Sequence, residues 1–415
     1  MIPSNNEKTP HRSIGRSIIN FLGLRRSIVG VLITVILVGM GEKMAERFLP
    51  LYIIALGGST IVVGLLNGMD NLLSALYSFP GGYLSDRLGY KKALLLFNLI
   101  AMTGFLIVIL IPSWVAVIIG AVFFISWTAI SLPAMMSLVS NVLPDNKRTM
   151  GVSLHSFVRR IPMALGPVVG GLLIGMYGTQ VGVRYAFMAA FAMGIVSLIT
   201  QQVMIKEGGK QETTSSTVIN PFKSLGLISH DLRNLLISDI LIRFCEQIPY
   251  AFVVIWAVTN NGISPLQFGL LTTVEMVTAM LVYIPVAYLA DRSGKKPFVL
   301  ITFGFFTLFP LVLIFSRSFP MLVLAFIIRG LKEFGEPTRK ALIMDLAPEK
   351  KKALTFGVYY LIRDVIVSVA AFGGAFLWNI SPQVNFLTAF GFGLIGMVFF
   401  GLYGRDLRIT RPVSE

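Results

Sequence analysis

Apolar runs long enough to cross a bilayer, about 20 residues each, follow one another along the chain, and short polar turns separate them. This pattern predicts helical spans over 27–55, 61–84, 92–111, 114–139, 150–176 and 184–204. A stretch rich in Gly, Ser and Thr follows, from Glu207 to Ser216. Six more spans are predicted over 233–257, 266–289, 297–315, 320–345, 354–380 and 383–404. The expected organisation is an N-terminal arm (1–26), a six-helix bundle (27–204), a linker (205–232), a second six-helix bundle (233–404) and a tail (405–415). In the arm, Ile14, Ile18, Phe21 and Leu22 are spaced for one helical face among five cations, which suits a segment lying on a membrane surface.

Two polar turns match each other across the halves. Pro80-Gly81-Gly82-Tyr83-Leu84-Ser85-Asp86-Arg87-Leu88-Gly89-Tyr90-Lys91-Lys92 returns as Pro285-Val286-Ala287-Tyr288-Leu289-Ala290-Asp291-Arg292-Ser293-Gly294-Lys295-Lys296-Pro297. The register continues outside the turns at an offset of 204 or 205 residues, pairing Glu42 with Glu246, Asp70 with Glu275, Arg159 with Arg363 and Gly170 with Gly374. The fold class expected is an all-α membrane protein of twelve spans in two pseudo-symmetric six-helix bundles.

Composition agrees. Of 415 residues, 55% are hydrophobic and 13% charged, with mean hydropathy +0.78. A soluble domain carries about a quarter charged residues. The net charge of +15 would suit nucleic acid, but its placement points elsewhere. Nearly every loop cation falls on the side of the even-numbered turns, the linker and the termini, leaving only Arg184 and Arg317 opposite. The positive-inside rule then places both termini in the cytoplasm and removes nucleic acid as a partner; the membrane expected is a bacterial-type inner (plasma) membrane. The single cysteine, Cys245, excludes an intramolecular disulfide.

The stretch Gly82-Tyr83-Leu84-Ser85-Asp86-Arg87-Leu88-Gly89-Tyr90-Lys91-Lys92 resembles the signature loop of the major facilitator superfamily. Gly82, Asp86, Arg87, Gly89 and Lys91 occupy its fixed positions. Asp291, Arg292, Gly294 and Lys296 repeat them, with Ala287 in place of the first glycine. The resemblance implies a secondary transporter working by alternating access. It also implies that spans 1, 4, 7 and 10 line a central cavity and that spans 2 and 11, and 5 and 8, meet across the halves. The signature loop is implied to act as a latch, with Arg87 and Lys91 pairing acidic groups such as Asp145 or Asp345. Ala164-Leu165-Gly166-Pro167-Val168-Val169-Gly170-Gly171 in span 5 resembles the Gly-Pro-x-x-Gly-Gly segment of the drug/proton antiporter branch, with Pro162 departing from the pattern.

Charged side chains inside the bilayer cost at least a few kcal/mol each, yet this chain carries clusters of them. Span 1 holds Glu42, Lys43, Glu46 and Arg47. Span 7 holds Asp239, Arg243 and Glu246 on one stripe. Span 10 holds Arg329, Glu333, Glu336 and Lys340, with Lys332 and Arg339 beside them. Glu42, Glu46, Arg47, Asp239, Arg243, Glu246, Arg329, Glu333 and Glu336 are therefore the candidate substrate and proton contacts, with Glu246 or Glu333 foremost for the coupling proton. Span 4 is uncharged, and Ile125 stands where the repeat matches Arg329. The structural alternative is that Asp239–Arg243, Arg329–Glu333 and Glu336–Lys340, each four apart, neutralise one another along their own helices.

Depth along the helices, at about 1.5 Å per residue, sets Asp70 level with Arg363, and Glu275 level with Arg159 and Arg160. Asp70–Arg363 and Glu275–Arg159/Arg160 are accordingly expected as gating pairs between the halves, with Asp364 competing for an arginine. His155 is the one histidine expected inside a span. No zinc spacing, nucleophile elbow or phosphate-binding glycine loop appears, so neither an enzyme nor a cofactor is expected. The partners expected are lipid and a small-molecule substrate, and the chain is expected to be a monomer. The expected function is proton-coupled export driven by the proton gradient. Proton-coupled uptake of a polar or anionic metabolite is the alternative, and a non-transporting sensor a remote one.

Overall fold

The computed structural model describes residues 26–125, 157–205, 228–348 and 352–405, together with 127, 130, 131, 134, 135 and 138. The N-terminal arm, most of the linker, the tail and His155 lie outside the described residues. Helices stand at all twelve expected places. Span 1 is Arg26–Glu46 continued by Leu49–Ala55, span 2 is Thr60–Leu88, span 3 is Tyr90–Leu110 and span 4 begins as Trp114–Phe124. Spans 5 and 6 are Arg160–Tyr177 and Thr179–Met204. Span 7 is His230–Tyr250, continued by Val253–Ile255 and a π-helical turn, Trp256–Asn260. Span 8 is Pro265–Ser293, span 9 Lys296–Phe315, span 10 Phe319–Leu331 continued by Glu336–Leu346, span 11 Lys352–Ile380 and span 12 Pro382–Tyr403. Eight of these helices are long and apolar enough to cross a membrane, and the bent span 7 makes a ninth, among the described residues. Large apolar side chains such as Leu281, Val369 and Leu402 stand exposed on the outer surface, where lipid covers them.

Caps and prolines set where the helices start. Ser264 and Gln267 form a reciprocal capping box around Pro265 at the head of span 8. The Ser381 side chain accepts from the Val384 amide (3.1 Å) just before Pro382. The two repeated turns are the tightest connections. Gly89 and Gly294 sit at φ +79° and +93°, a left-handed conformation that glycine adopts without a Cβ penalty. Each turns one helix directly into the next.

Three spans are broken at mid-depth: span 1 at Arg47 and Phe48, span 7 at Ala251 and Phe252 with a 42° bend, and span 10 at residues 332–335. Pro50, Pro249 and Pro337 flank these breaks, each lacking the amide that would continue the helical ladder. Broken backbone at membrane depth is stable only where protein buries it or a cavity receives it.

Packing repeats between the halves. Span 1 lies on spans 5 and 6 as span 7 lies on 11 and 12, and span 3 lies on 4 and 6 as span 9 lies on 10 and 12. Spans 5 and 8, and spans 2 and 11, join the halves. The glycines of the span 5 motif divide this work. A Cβ at Gly166 or Gly170 would strike the span 1 backbone at Lys43 and Met44, whereas one at Gly171 would strike Pro265 and Leu266 of span 8. Gly269 returns the contact against Pro167. Small residues thus let the two halves meet backbone to backbone. Inside the first half, a buried chain of hydrogen bonds ties spans 3, 4 and 6: Trp127 donates to Asn98 (2.7 Å), Asn98 to Gln201 (2.9 Å), and Gln201 to the Lys91 carbonyl (2.8 Å).

Candidate functional site

The breaks in spans 1 and 7 converge on one cleft between the halves. Glu46 and Arg47 enter it from span 1, Asn67 and Asp70 from span 2, Ile125 from span 4, Tyr250 from span 7, Phe268 from span 8 and Arg329 from span 10. The empty space in and around it is about 500 Å³, part of it open solvent. Tyr250 is its centrepiece. The Arg47 guanidinium lies 5.0 Å from the ring centroid and that of Arg329 lies 5.5 Å away, so one aromatic ring serves two cations from opposite halves. Asn67 and Asn71 tie span 2 to span 7 beside it, donating to the Gln247 carbonyl (2.8 Å) and the Gln247 side chain (3.2 Å).

Behind the cleft, the second half carries a connected ionic network. Glu246 takes Lys332 on one oxygen and Arg243 on the other, each at 2.6 Å. Glu275, almost wholly buried, faces Arg329 (3.3 Å) and Lys332 (3.5 Å). Arg243 also reaches Glu336 (3.5 Å) and lies 4.0 Å from Asp239. Deeper still, Arg339 binds Asp239 and chelates Glu336 (2.7 and 2.8 Å), while Tyr359 donates to Asp239 (3.1 Å) and Arg363 approaches it at 3.4 Å. In the first half, Lys43 holds Glu42 (3.1 Å) and Glu46. Among the described residues, two charges facing the cleft have no ion pair: Arg47 and Asp70.

The family model described as Major Facilitator Superfamily matches residues 31–231 and, a second time, residues 213–414. The chain belongs to the Major Facilitator Superfamily. The double match follows the internal repeat. An uncharacterized MFS-type transporter of Methanocaldococcus jannaschii is 24% identical over 361 residues, covering 84% of this chain and 87% of its own. The quinolone resistance protein NorA of Staphylococcus aureus is 24% identical over 200 residues, 48% of this chain and 50% of NorA. Among solved structures, a POT family transporter superposes with TM-score 0.76 over 92% of this chain and 97% of its own, at 12% identity. The nucleoside transporter NupG does so with TM-score 0.73 over 91% of this chain and 100% of its own, at 13% identity. Membership makes the chain a multi-pass membrane transporter and not an enzyme.

Against the superfamily pattern, the expected residues sort as follows. Glu46, Arg47 and Arg329 line the cleft. Glu246 stands in an adjoining recess with Tyr250, Arg329 and Lys332, and Asp239, Arg243 and Glu336 belong to the network behind. Glu42 lines a separate recess of the first half with Arg159 and Trp127. The four-apart pairing is only partly followed: Lys340 reaches Glu336 (3.4 Å), but Arg329 leaves Glu333 for Glu275.

The expected gating pairs are replaced. Glu275 meets Arg329 and Lys332 of its own half, not Arg159 or Arg160. Arg160 instead reaches Glu333 across the halves (3.4 Å). Arg363 turns to Asp239 and Asp364 (2.7 Å), not to Asp70. The reason is rotation about the helix axis. On span 8, Gly269 and Thr273 face span 5, with Thr273 donating to the Ala164 carbonyl (2.7 Å). Glu275 lies two residues on, about 200° around. On span 2, Gly64 and Gly68 face span 11, and Asp70 is again two residues on.

Of the signature turns, Arg87 donates to the Tyr83 hydroxyl (3.1 Å), Lys91 to the Gln202 carbonyl (3.0 Å) and Lys296 to the Gly401 carbonyl (2.8 Å). Asp345 is taken by Lys295 in place of Arg87 or Lys91. Gly82 lies within the span 2 helix. The side chains of Asp86, Asp291 and Arg292, and residue Asp145, lie outside the described part. Tyr250, Asn67 and Gln247 were not among the expected site residues. The available signal was proline: Pro249 and Pro50 mark the breaks that aim Tyr250 and Arg47 into the cleft.

Proposed function

We propose that the chain is a proton-coupled exporter of a small molecule, its two halves alternately opening the central cleft to either side of a plasma membrane. The observation that carries this reading is Asp70. It is a carboxylate at mid-depth that lines the cleft and has no cation paired to it among the described residues. Such a group accepts either a proton or a cation at one time, which is the exclusion that exchange requires. Glu246, clamped between Lys332 and Arg243, is poorly placed for that duty. In this reading Asp70 carries the coupling proton, ahead of Glu333. The likeness to the quinolone resistance protein, over half of each chain, supports export. The loop cations support cytoplasmic termini and signature turns. The proton gradient supplies the energy.

The test is exchange in proteoliposomes under an imposed pH gradient. Wild-type protein is expected to move substrate against its concentration and protons the other way, and Asp70→Asn to abolish the coupled movement. Gradient-driven transport by Asp70→Asn at the wild-type rate would sink the assignment. A second reading is uptake of an anionic metabolite by symport, which Arg47 and Arg329 favour as paired anion grips. Deletion separates the two: export predicts raised sensitivity to toxic compounds, uptake a lost growth substrate.

A further inference from the structure

The charges around the cleft do not have equal freedom. Glu46 is held by Lys43, and Arg329 by Glu275. Arg47 and Asp70 are left, one cation and one carboxylate, entering the same cavity from neighbouring helices without pairing to each other or to any other described residue. Arg47 sits in the broken turn of span 1, and its guanidinium rests on Tyr250. Asp70 lies ten residues into span 2. The apolar part of the wall is made by Leu66, Ile125, Val254 and Phe268.

A site of this kind ranks ligands by charge pattern. A purely cationic ligand satisfies Asp70 and leaves the half-buried Arg47 without a counter-charge. A purely anionic one satisfies Arg47 and leaves Asp70. A neutral ligand leaves both. Leaving a half-buried charge without a partner forgoes a charged hydrogen bond, so one molecule bearing both signs is the best match. We infer that the cleft takes amphoteric small molecules, with the anionic group at Arg47, the cationic group at Asp70 and an apolar body against Leu66, Ile125, Val254 and Phe268. This deepens the proposed function and rests on the cleft being its transport site.

The experiment uses the full chain, purified in detergent, and matched triplets of amino acids with alkyl or aryl bodies of graded length. Each triplet contains the zwitterion, its methyl ester (cation only) and its N-acetyl form (anion only). Binding is read as thermal stabilisation and then titrated. The expected result is that the bound members are zwitterions and that either blocked form binds about ten- to a hundredfold more weakly, the scale of a lost charged hydrogen bond. Arg47→Gln should bring the zwitterion down to the level of its ester while leaving the ester unchanged. Asp70→Asn should bring it down to the level of the N-acetyl form. Arg47→Lys, which keeps the charge, should retain the discrimination, and the ester binding kept by Arg47→Gln shows that this variant folds.

Tightest binding by singly charged members, or no binding by any triplet, overturns the inference. So do variants that weaken all three forms alike. The transport reading fails separately. Zwitterions that bind in this pattern yet do not move under an imposed pH gradient would sink proton-coupled transport and keep the ligand class. A singly charged compound moved by the gradient would do the reverse.

Discussion

At the scale of single residues, the ionic network is held by redundancy, and the cost of removing a member depends on how many partners it leaves behind. Asp239 is 1% exposed and serves Arg339, Tyr359 and Arg363 together. Asp239→Asn strands buried arginines, and the expected loss is about 3–5 kcal/mol, read as a large drop in melting temperature in detergent. Glu333→Gln removes one partner at 3.4 Å from a part-exposed pair, and the expected loss is under about 1 kcal/mol. Equal melting temperatures for the two variants would contradict the network as drawn. Tyr250 gives a cleaner comparison. Tyr250→Phe keeps the ring under Arg47 and Arg329, whereas Tyr250→Leu removes it at an expected cost of about 0.5–2 kcal/mol for each cation. Thermal melts of both should place Tyr250→Phe beside wild type and Tyr250→Leu well below.

At the scale of elements, the hydrophobic pattern found all twelve spans, the family resemblance supplied the right neighbours, 2 with 11 and 5 with 8, and depth along the helices set residues level between them. What one coordinate could not find is which face of each helix looks across. Height alone matches Asp70 and Glu275 to arginines, yet each lies two residues beyond the glycines or threonine that make the contact. The glycines themselves carried the missing information, since a backbone-to-backbone approach needs the small face and sends the charged face elsewhere. The breaks were also written in the sequence, as prolines beside Arg47 and Tyr250, but periodicity alone reads straight through them. A test follows from the division of labour in span 5. Gly171→Ala pushes a methyl group into the Pro265 backbone of the opposite half, whereas Gly175→Ala meets nothing within 4 Å. Gly171→Ala is expected to cut transport severely with the protein still folded, and Gly175→Ala to transport as wild type. Matching activities would show that spans 5 and 8 do not approach in this way during the cycle.

At the scale of the whole molecule, the cleft is closed on the face opposite the signature turns. Thr60 and Asn379 hydrogen-bond across spans 2 and 11 at that face. Below them, Asn67 reaches the Ala371 carbonyl (3.4 Å), and Leu49–Ala55 of span 1 packs against Val253–Ile255 of span 7. Phe48 meets Phe268 edge to face, with centroids 5.8 Å apart. A carrier that alternates must part this whole seam once per cycle, because a substrate at Arg47 and Asp70 has no other way to the far side. Thr60 and Asn379 are the place to hold it shut. The single native cysteine, Cys245, is buried and does not compete in cross-linking. With Thr60→Cys and Asn379→Cys in one chain, mild oxidation is expected to abolish transport and a reductant to restore it. Ligand binding to the oxidised protein should persist, since the cleft is already formed with this seam closed. A cross-linked protein that still transports at the full rate would mean that the halves do not separate along spans 2 and 11. The rocking of one bundle against the other would then have to be replaced by a motion confined to the broken segments of spans 1, 7 and 10.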